Sequence, residues 1–463
     1  MPIQSSESNA PVYSNGQAGG GLNGQSNDRA TSLAGSHGNG QVTSLGGVAT
    51  SSATSHATGR GRLVFESLTN PLFRMLWTGS LFSTAAMQMN MVAQSWLAYD
   101  LSGSATVLGL VAGARAIPMA VFSLVGGAVA DRVKKRNLLM FTQSGLTIMS
   151  LVVAVLVHTR IIQVWHLVIV GAVQGTLFAF NMPTRQAYIP ELVGARLLPN
   201  AIAMQSTGMD INRIAAPAVA GLLIAASPRL AFYAASFLYL GAVLSIARLP
   251  AGSPAVTGKG SALEDLSAGV SYVWNNRYLR TLMLMAFVAT FLGMPFMQLL
   301  PVFQAGVFLV GPSELGVMYM TVGVGSLLSS LTVAVMASNP RSGLIQVVAG
   351  VGFGLGLVGL ALSPGFLVAL FPLFLVGVFS QAYMIINQIL LMTNVDPELF
   401  GRVSSIRAVT WSLNPASLLV LGVFVDRFGV SPVVAVQGVL LAVFVAAIAV
   451  SRPDVWRTPK RST

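Results

Sequence analysis

The chain has 463 residues, of which 54% are hydrophobic and 9% charged, and it contains no cysteine. Soluble domains carry about 25% charged residues, so a soluble enzyme is excluded. Disulfides, zinc ribbons and thiol catalysis are excluded with it. The net charge of +12 would suit a nucleic-acid binder, unless its placement along the chain has another cause.

Residues 1–70 form a Ser/Gly/Asn-rich tail. Such a segment buries too little apolar surface to offset its ordering entropy, so a disordered cytoplasmic tail is expected. It has no basic region followed by an apolar one, as a secretory signal would. The first hydrophobic span after it is therefore expected to target the chain to a membrane.

From residue 71 the character changes. A mean hydropathy of +0.72, with 47 glycines and 22 prolines, fits a polytopic helical membrane protein, because transmembrane helices tolerate both residues. A crossing takes roughly 20 apolar residues. Twelve segments qualify: 75–99, 105–130, 137–158, 163–184, 200–226, 230–248, 281–307, 314–337, 343–363, 366–391, 403–425 and 431–450. The expected fold is all-α, with twelve transmembrane helices in two pseudo-symmetric six-helix bundles, 71–248 and 281–450. A cytoplasmic linker, 249–280, joins them, and a basic cytoplasmic tail, 451–463, follows.

An even number of spans puts both termini on one side. With that side cytoplasmic, only Arg160, Arg229 and Arg427 fall in outer loops, and Arg115 and Arg213 fall within spans. The other 21 of the 26 Lys and Arg lie in the tails and inner loops or, for Arg248 and Arg407, at the inner ends of spans. That asymmetry is the positive-inside rule, and it accounts for the basic charge without nucleic acid. In the linker, "LSAGVSYVWNNRYLRTL" (266–282) places Leu266, Val270, Val273 and Trp274 near one helical face. This reads either as an amphipathic helix on the membrane surface or as a linker helix without lipid contact.

Two inner loops repeat. "PELVGAR" starts at Pro190 and "PELFGRV" at Pro397, each between the fourth and fifth spans of its half, and each precedes a span containing a proline, Pro217 or Pro415. Two related six-helix halves form a transporter architecture with a site near the midplane.

Charge within a span is unfavourable, so Asp210 and Arg213 in "MDINRIAAPAVAG" (209–221) and Arg115 in span two are functional-site candidates by default. With span five starting near Asn200, Asp210 lies about 15 Å deep. Ser206, Asp210, Arg213, Pro217 and Gly221 form one face that should point into the bundle. Asp210 either exchanges protons during transport or stays paired with Arg213, as i,i+3 spacing permits. Arginine lowers a carboxyl pKa and desolvation raises it, so both readings stand.

The stretch "GGAVADRVKKR" (126–136) resembles the signature between spans two and three of the major facilitator superfamily. "YDLSGSA" (99–105), "NMPTRQAYIPELV" (181–193), "AAPAVAG" (215–221), "LLPVF" (299–303) and "PELFGRVSS" (397–405) narrow the resemblance to its transmembrane secretion effector branch, which includes enterobactin-exporter-like proteins. The resemblance covers nearly everything from 70 to 450. It implies a gate formed by Gly127, Asp131, Arg132 and Arg136, which stabilises an outward-facing state. Asp131 would meet the N-terminus of span eleven near Arg402 or Arg407, where the helix dipole favours a carboxylate. The competing role for this basic run is topology alone.

The same resemblance implies that spans one, four, seven and ten line a central cavity. Their polar residues do fall on helical stripes. Span one offers Ser83, Met87, Asn90 and Gln94, and span four offers Gln174, Phe178 and Asn181. Span seven has Thr290, Met294 and Gln298, and span ten has Gln381, Met384 and Gln388. Amides, methionines and aromatics with few charges suit a bulky amphipathic ligand. Hydrogen bonding between helices is the alternative role for each polar residue.

Two patterns are decoys. "GSPAVTGKG" (252–260) has five residues between its glycines, where a phosphate loop has four, and Gly follows the lysine. "GLGLVG" (354–359) fits a dinucleotide fingerprint, but it lies inside span nine with no strand before it, so close helix packing explains it better. His37, His56, His158 and His166 show no metal spacing. The expected protein is a plasma-membrane secondary transporter that needs no cofactor or metal. It would act as a monomer in the bilayer, exporting small organic or amphipathic compounds in exchange for protons. An uncoupled facilitator or importer, or a non-transporting sensor or scaffold, is the alternative.

Overall fold

The computed structural model describes residues 66–251, 271–336, 341–395, 403, 406, 410 and 414–452. The N-terminal tail, the phosphate-loop-like stretch at 252–260, Arg402 and Arg407 lie outside them. Among the described residues every regular element is helical.

Local sequence explains where the helices begin and bend. Helix α1 (Pro71–Ser102) starts where the Asn70 side chain accepts from the amides of Leu72 and Phe73, with Pro71 in the first turn. Proline is tolerated there because that amide lacks a helical partner anyway. After Gly103, which is left-handed, α2 (Ala105–Arg132) and α3 (Lys135–His158) follow. The next helix, α4 (Val164–Ala226), has two arms that meet at Gly194, whose φ of 70° suits a residue without Cβ. Spans four and five are thus joined by a glycine kink within one helical course. "PELVGAR" is helical on either side of that kink, where a plain loop was expected.

Helix α5 (Pro228–Ala247) completes the N-terminal set. The C-terminal set opens with α6 (Arg277–Val288), capped by the Asn276 side chain. Of the helix expected over 266–282, residues 266–270 lie outside the described ones, and within the rest Asn276 is extended and breaks the course. A π-helical turn (Ala289–Gly293), the short α7 (Phe296–Val302) and a second π turn (Phe303–Val307) continue the course of span seven. Helices α8 (Pro312–Met336), α9 (Ser342–Ala361), α10 (Phe366–Thr393), α11 (Asn414–Phe428) and α12 (Val430–Ser451) follow.

Among the described residues, ten helical stretches are long and apolar enough to cross a bilayer. The expected twelve also included α1, which has 32 residues but many polar ones, and α11, of which 15 residues are described. Connections alternate between two ends. One end carries Arg132, Lys134, Arg136, Arg196, Arg248, Arg280 and Arg452, and is called here the basic end. The other, the far end, carries Arg160, Arg229 and Arg427.

Within the N-terminal set, α1 packs on α4 and α5, α2 on α4, and α3 on α5. In the C-terminal set, α9 packs on α10 and α12, and α8 on α10. The sets meet where α4 lies on α8 and α2 lies on α11. The fingerprint-like glycines serve this packing. A Cβ on Gly354 would sit 2.4 Å from the carbonyl oxygen of Gly438 on α12. Gly354→Val should therefore push α9 and α12 apart, at about 1–3 kcal/mol for an overpacked contact. The readout is thermal melting of the purified protein in detergent, where an unchanged midpoint would refute the close-contact role.

Candidate functional site

The second arm of α4, Arg196–Ala226, carries the intramembrane charges against α8. A Cβ on Gly221 would lie 2.6 Å from Gly316 Cα, and one on Gly323 would lie 3.3 Å from the Arg213 carbonyl oxygen. The Arg213–Gly221 side of the arm therefore faces the other set of helices. Arg213 Nη1 donates to Gln381 Oε1 at 2.9 Å, and Gln381 Nε2 donates to Ser330 Oγ at 3.3 Å. One guanidinium thus joins α4 to α10, and through Gln381 to α8, halfway along α10.

Asp210 lies one turn before Arg213 and is half-buried. No ion pair forms between them within 4.0 Å, so the paired arrangement, one of the two readings left open, is not the one present here. The amide of Gln381 takes the guanidinium instead. The arm also starts at Arg196, earlier than the expected Asn200, which sets Asp210 about 21 Å along it at 1.5 Å per residue.

The stripes on α1 and α4 are occupied within the N-terminal set. Asn90 donates to Ser150 Oγ at 3.2 Å, Gln94 donates to Gln174 Oε1 at 3.0 Å, and Asn181 donates to Thr142 Oγ1 at 2.8 Å. All of these side chains are buried, so hydrogen bonding between helices is their observed role. On span seven, Met294 follows the first π turn and is half-buried. Gln298 lines a small cavity of about 40 Å3 together with Gln94, Ser95 and Arg115, so this space lies between the two sets. It has room for a few waters and not for a ligand. The Arg115 guanidinium lies 4.8 Å from the Phe178 ring centroid, a favourable cation–π contact. On α10, Gln388 is exposed, and its neighbour Asn387 is buried and donates to the Leu282 carbonyl at 3.0 Å.

Arg185, which the expected boundaries placed just beyond span four, is 5% exposed within the first arm of α4. Its Nη2 reaches Asn181 Oδ1 at 3.4 Å, while Nε and Nη1 have no partner. A longer estimate of span four would have found it.

Of the gate residues, Gly127 and Asp131 lie in α2, and the Asp131 side chain is outside the described ones. Arg132 is exposed. Arg136 turns toward the start of the linker, donating from Nη1 to the Leu249 carbonyl at 3.2 Å and from its amide to the Ala251 carbonyl at 3.3 Å. Tyr188 donates to the Pro250 carbonyl beside them. Lys135, with its side chain 1% exposed, pairs with Glu191 of "PELVGAR" at 2.6 Å. The two N-terminal inner motifs therefore touch each other. A separate cavity of about 710 Å3 lies at the basic end among Trp274, Arg280, Leu284, Phe287, Ile448 and Arg452. It sits on the flank of the C-terminal set, away from Arg213 and Gln381.

At the far end the two sets are joined by a residue that the sequence alone does not single out. Asp426, at the end of α11, accepts from Ser104 Oγ at 2.6 Å and from the amides of Ala105 and Thr106 at 2.6 and 3.1 Å. It caps the N-terminus of α2 across the interface, where the helix dipole favours negative charge. Burial works against the charged carboxyl, but the bonds from Ser104, Thr106 and Ala105 outweigh it and hold Asp426 below the usual aspartate range.

Residues 64–393 match the family model described as transmembrane secretion effector. The chain belongs to this family of major facilitators. It is 25% identical to the staphyloferrin A transporter of Staphylococcus aureus, over 75% of this chain and 88% of that protein. To macrolide efflux protein A of Streptococcus pyogenes it is also 25% identical, over 80% and 93%. It is 26% identical to the multidrug efflux pump Tap of Mycolicibacterium fortuitum, over 78% and 90%. Among solved structures, the nucleoside transporter NupG superposes with a TM-score of 0.69 at 15% identity, covering 81% of this chain and 99% of that one. The xylose transporter XylE of E. coli, inward open, gives 0.64 at 13%, covering 85% and 98%. At such identities the likeness establishes the shared major facilitator fold. The chain is a multi-pass membrane protein.

Proposed function

We propose that this secretion effector exports small organic or amphipathic compounds by alternating access, driven by exchange for protons. The observation that carries the reading is the link from Arg213 through Gln381 to Ser330. It joins the two helix sets at mid-depth, beside a carboxylate, Asp210, that forms no ion pair with Arg213. A rocking motion of the bundles 71–248 and 281–450, linked by 249–280, must break or remake this bond. That makes its neighbourhood the place where proton movement and the opening of the halves can be coupled. The names of the efflux relatives support the direction of transport.

The basic end faces the cytoplasm in this reading, with both termini there, in the plasma membrane, and the working unit is a monomer. Gly127, Asp131, Arg132, Arg136, Arg402 and Arg407 form the inner gate. Asp210 takes and releases the proton, and Gln298 and Gln381 meet the substrate when the interface opens. The test uses everted vesicles with a fluorescent amphipathic substrate such as a cationic dye. Uptake into the vesicles should follow an imposed pH gradient and stop when an ionophore collapses it. Flux that continues undiminished without the gradient would refute proton exchange.

A further inference from the structure

Helices α2 and α11 carry the same pattern at opposite ends. Gly127, Asp131 and Arg132 end α2 at the basic end, and Gly422, Asp426 and Arg427 end α11 at the far end. In both, three residues separate the glycine from Asp-Arg. The helices pack antiparallel. A Cβ on Gly109 would meet Leu419 Cα at 2.6 Å, and one on Gly422 would meet the Ala105 carbonyl oxygen at 2.6 Å. This close approach brings Asp426 onto the start of α2, where it holds three donors.

We propose that Asp426 is a far-end latch, whose cap on the start of α2 holds the two helix sets together there and is released when that end opens. The inference rests on the alternating access proposed above, in which Asp131 belongs to the inner gate. Asp426 caps the N-terminus of a helix in the other set, so it favours closure of the far end. Rocking that opens the far end must separate α2 from α11 there and release Asp426. This carboxylate thereby shifts the balance between the two facing states, independently of the link at mid-depth. Gly422 serves the cap, because the carboxylate reaches the amides only where the two backbones nearly touch.

The absence of cysteine makes the test direct. Ser95 lines the small cavity between the sets, so Ser95→Cys reports opening of the far end through its reaction with a membrane-impermeant maleimide. The reagent is applied to each face of reconstituted vesicles in turn. Asp426→Ala should raise the rate from the far face by about tenfold, the scale of losing charge-assisted bonds. Ser104→Ala, which removes one bond of three, should raise it by about twofold, and it keeps the test open if Asp426→Ala does not fold. Asp131→Asn should lower it. A rate that answers to Asp131→Asn but to neither far-end change overturns the latch and leaves alternating access standing. A rate that answers to none of the three overturns both.

Discussion

Arg213→Leu is expected to cut efflux at least tenfold in protein that still reaches the membrane. The guanidinium holds Gln381 at 2.9 Å across the interface, and a hydrogen bond to a charged group contributes roughly 1.5–3 kcal/mol. That range is about a ten- to hundredfold shift between two facing states. The loss also takes away the cation one turn from Asp210, and a charge in a membrane interior is tolerated only with partners or water. Arg213→Lys keeps the charge but loses the planar fork, so it should retain part of the flux. Gln381→Leu should show a smaller defect than Arg213→Leu, because the charge stays. Transport would be measured in everted vesicles, normalised to folded protein by size-exclusion chromatography. Undiminished flux in both Arg213→Leu and Gln381→Leu would remove the link from the mechanism.

The largest effect on stability is expected at Lys135 and Glu191. Glu191→Ala takes the carboxylate 2.6 Å from an ammonium whose side chain is 1% exposed. Breaking a buried pair from one side is worth about 3–5 kcal/mol. Glu191 keeps 32% of its side-chain surface, so screening by water reduces this to roughly 2–3 kcal/mol. Lys135→Met combined with Glu191→Gln should recover most of the loss, because no charge is then left buried. Thermal melting of the wild type, Lys135→Met, Glu191→Gln and their double variant gives the coupling energy. Additive single and double effects would show that the pair is incidental.

Much of the fold was legible from hydropathy, because spans are long, apolar and separated by charge. The boundaries that failed did so for local reasons. Span four runs past Pro190 to Gly194, since only the left-handed glycine breaks the course, and so Arg185 looked like a loop residue. The bundle-facing side of span five was legible because charges inside a span are rare. Its partner was not. The i,i+3 spacing suggested Asp210 for Arg213, whereas the guanidinium reaches Gln381, 168 residues away in sequence. Periodicity assigns a residue to a face but does not identify what lies opposite. The amides on α1 and α4 were read correctly as stripes, yet here they bond within their own set. Asp426 sat in a stretch that read as an ordinary outer turn, and only the packing of α11 on α2 reveals its partners.

The two π turns in span seven give the protein unequal stiffness. The first span is one continuous rod of 32 residues, Pro71–Ser102, while its pseudo-symmetric counterpart is interrupted at Ala289–Gly293 and again at Phe303–Val307. A π turn loosens the regular ladder of a helix and is a natural point of bending. Span one is therefore straight and stiff, and span seven is compliant at two heights. In the export proposed above, flexing of span seven would admit cargoes of different girth while span one keeps its register.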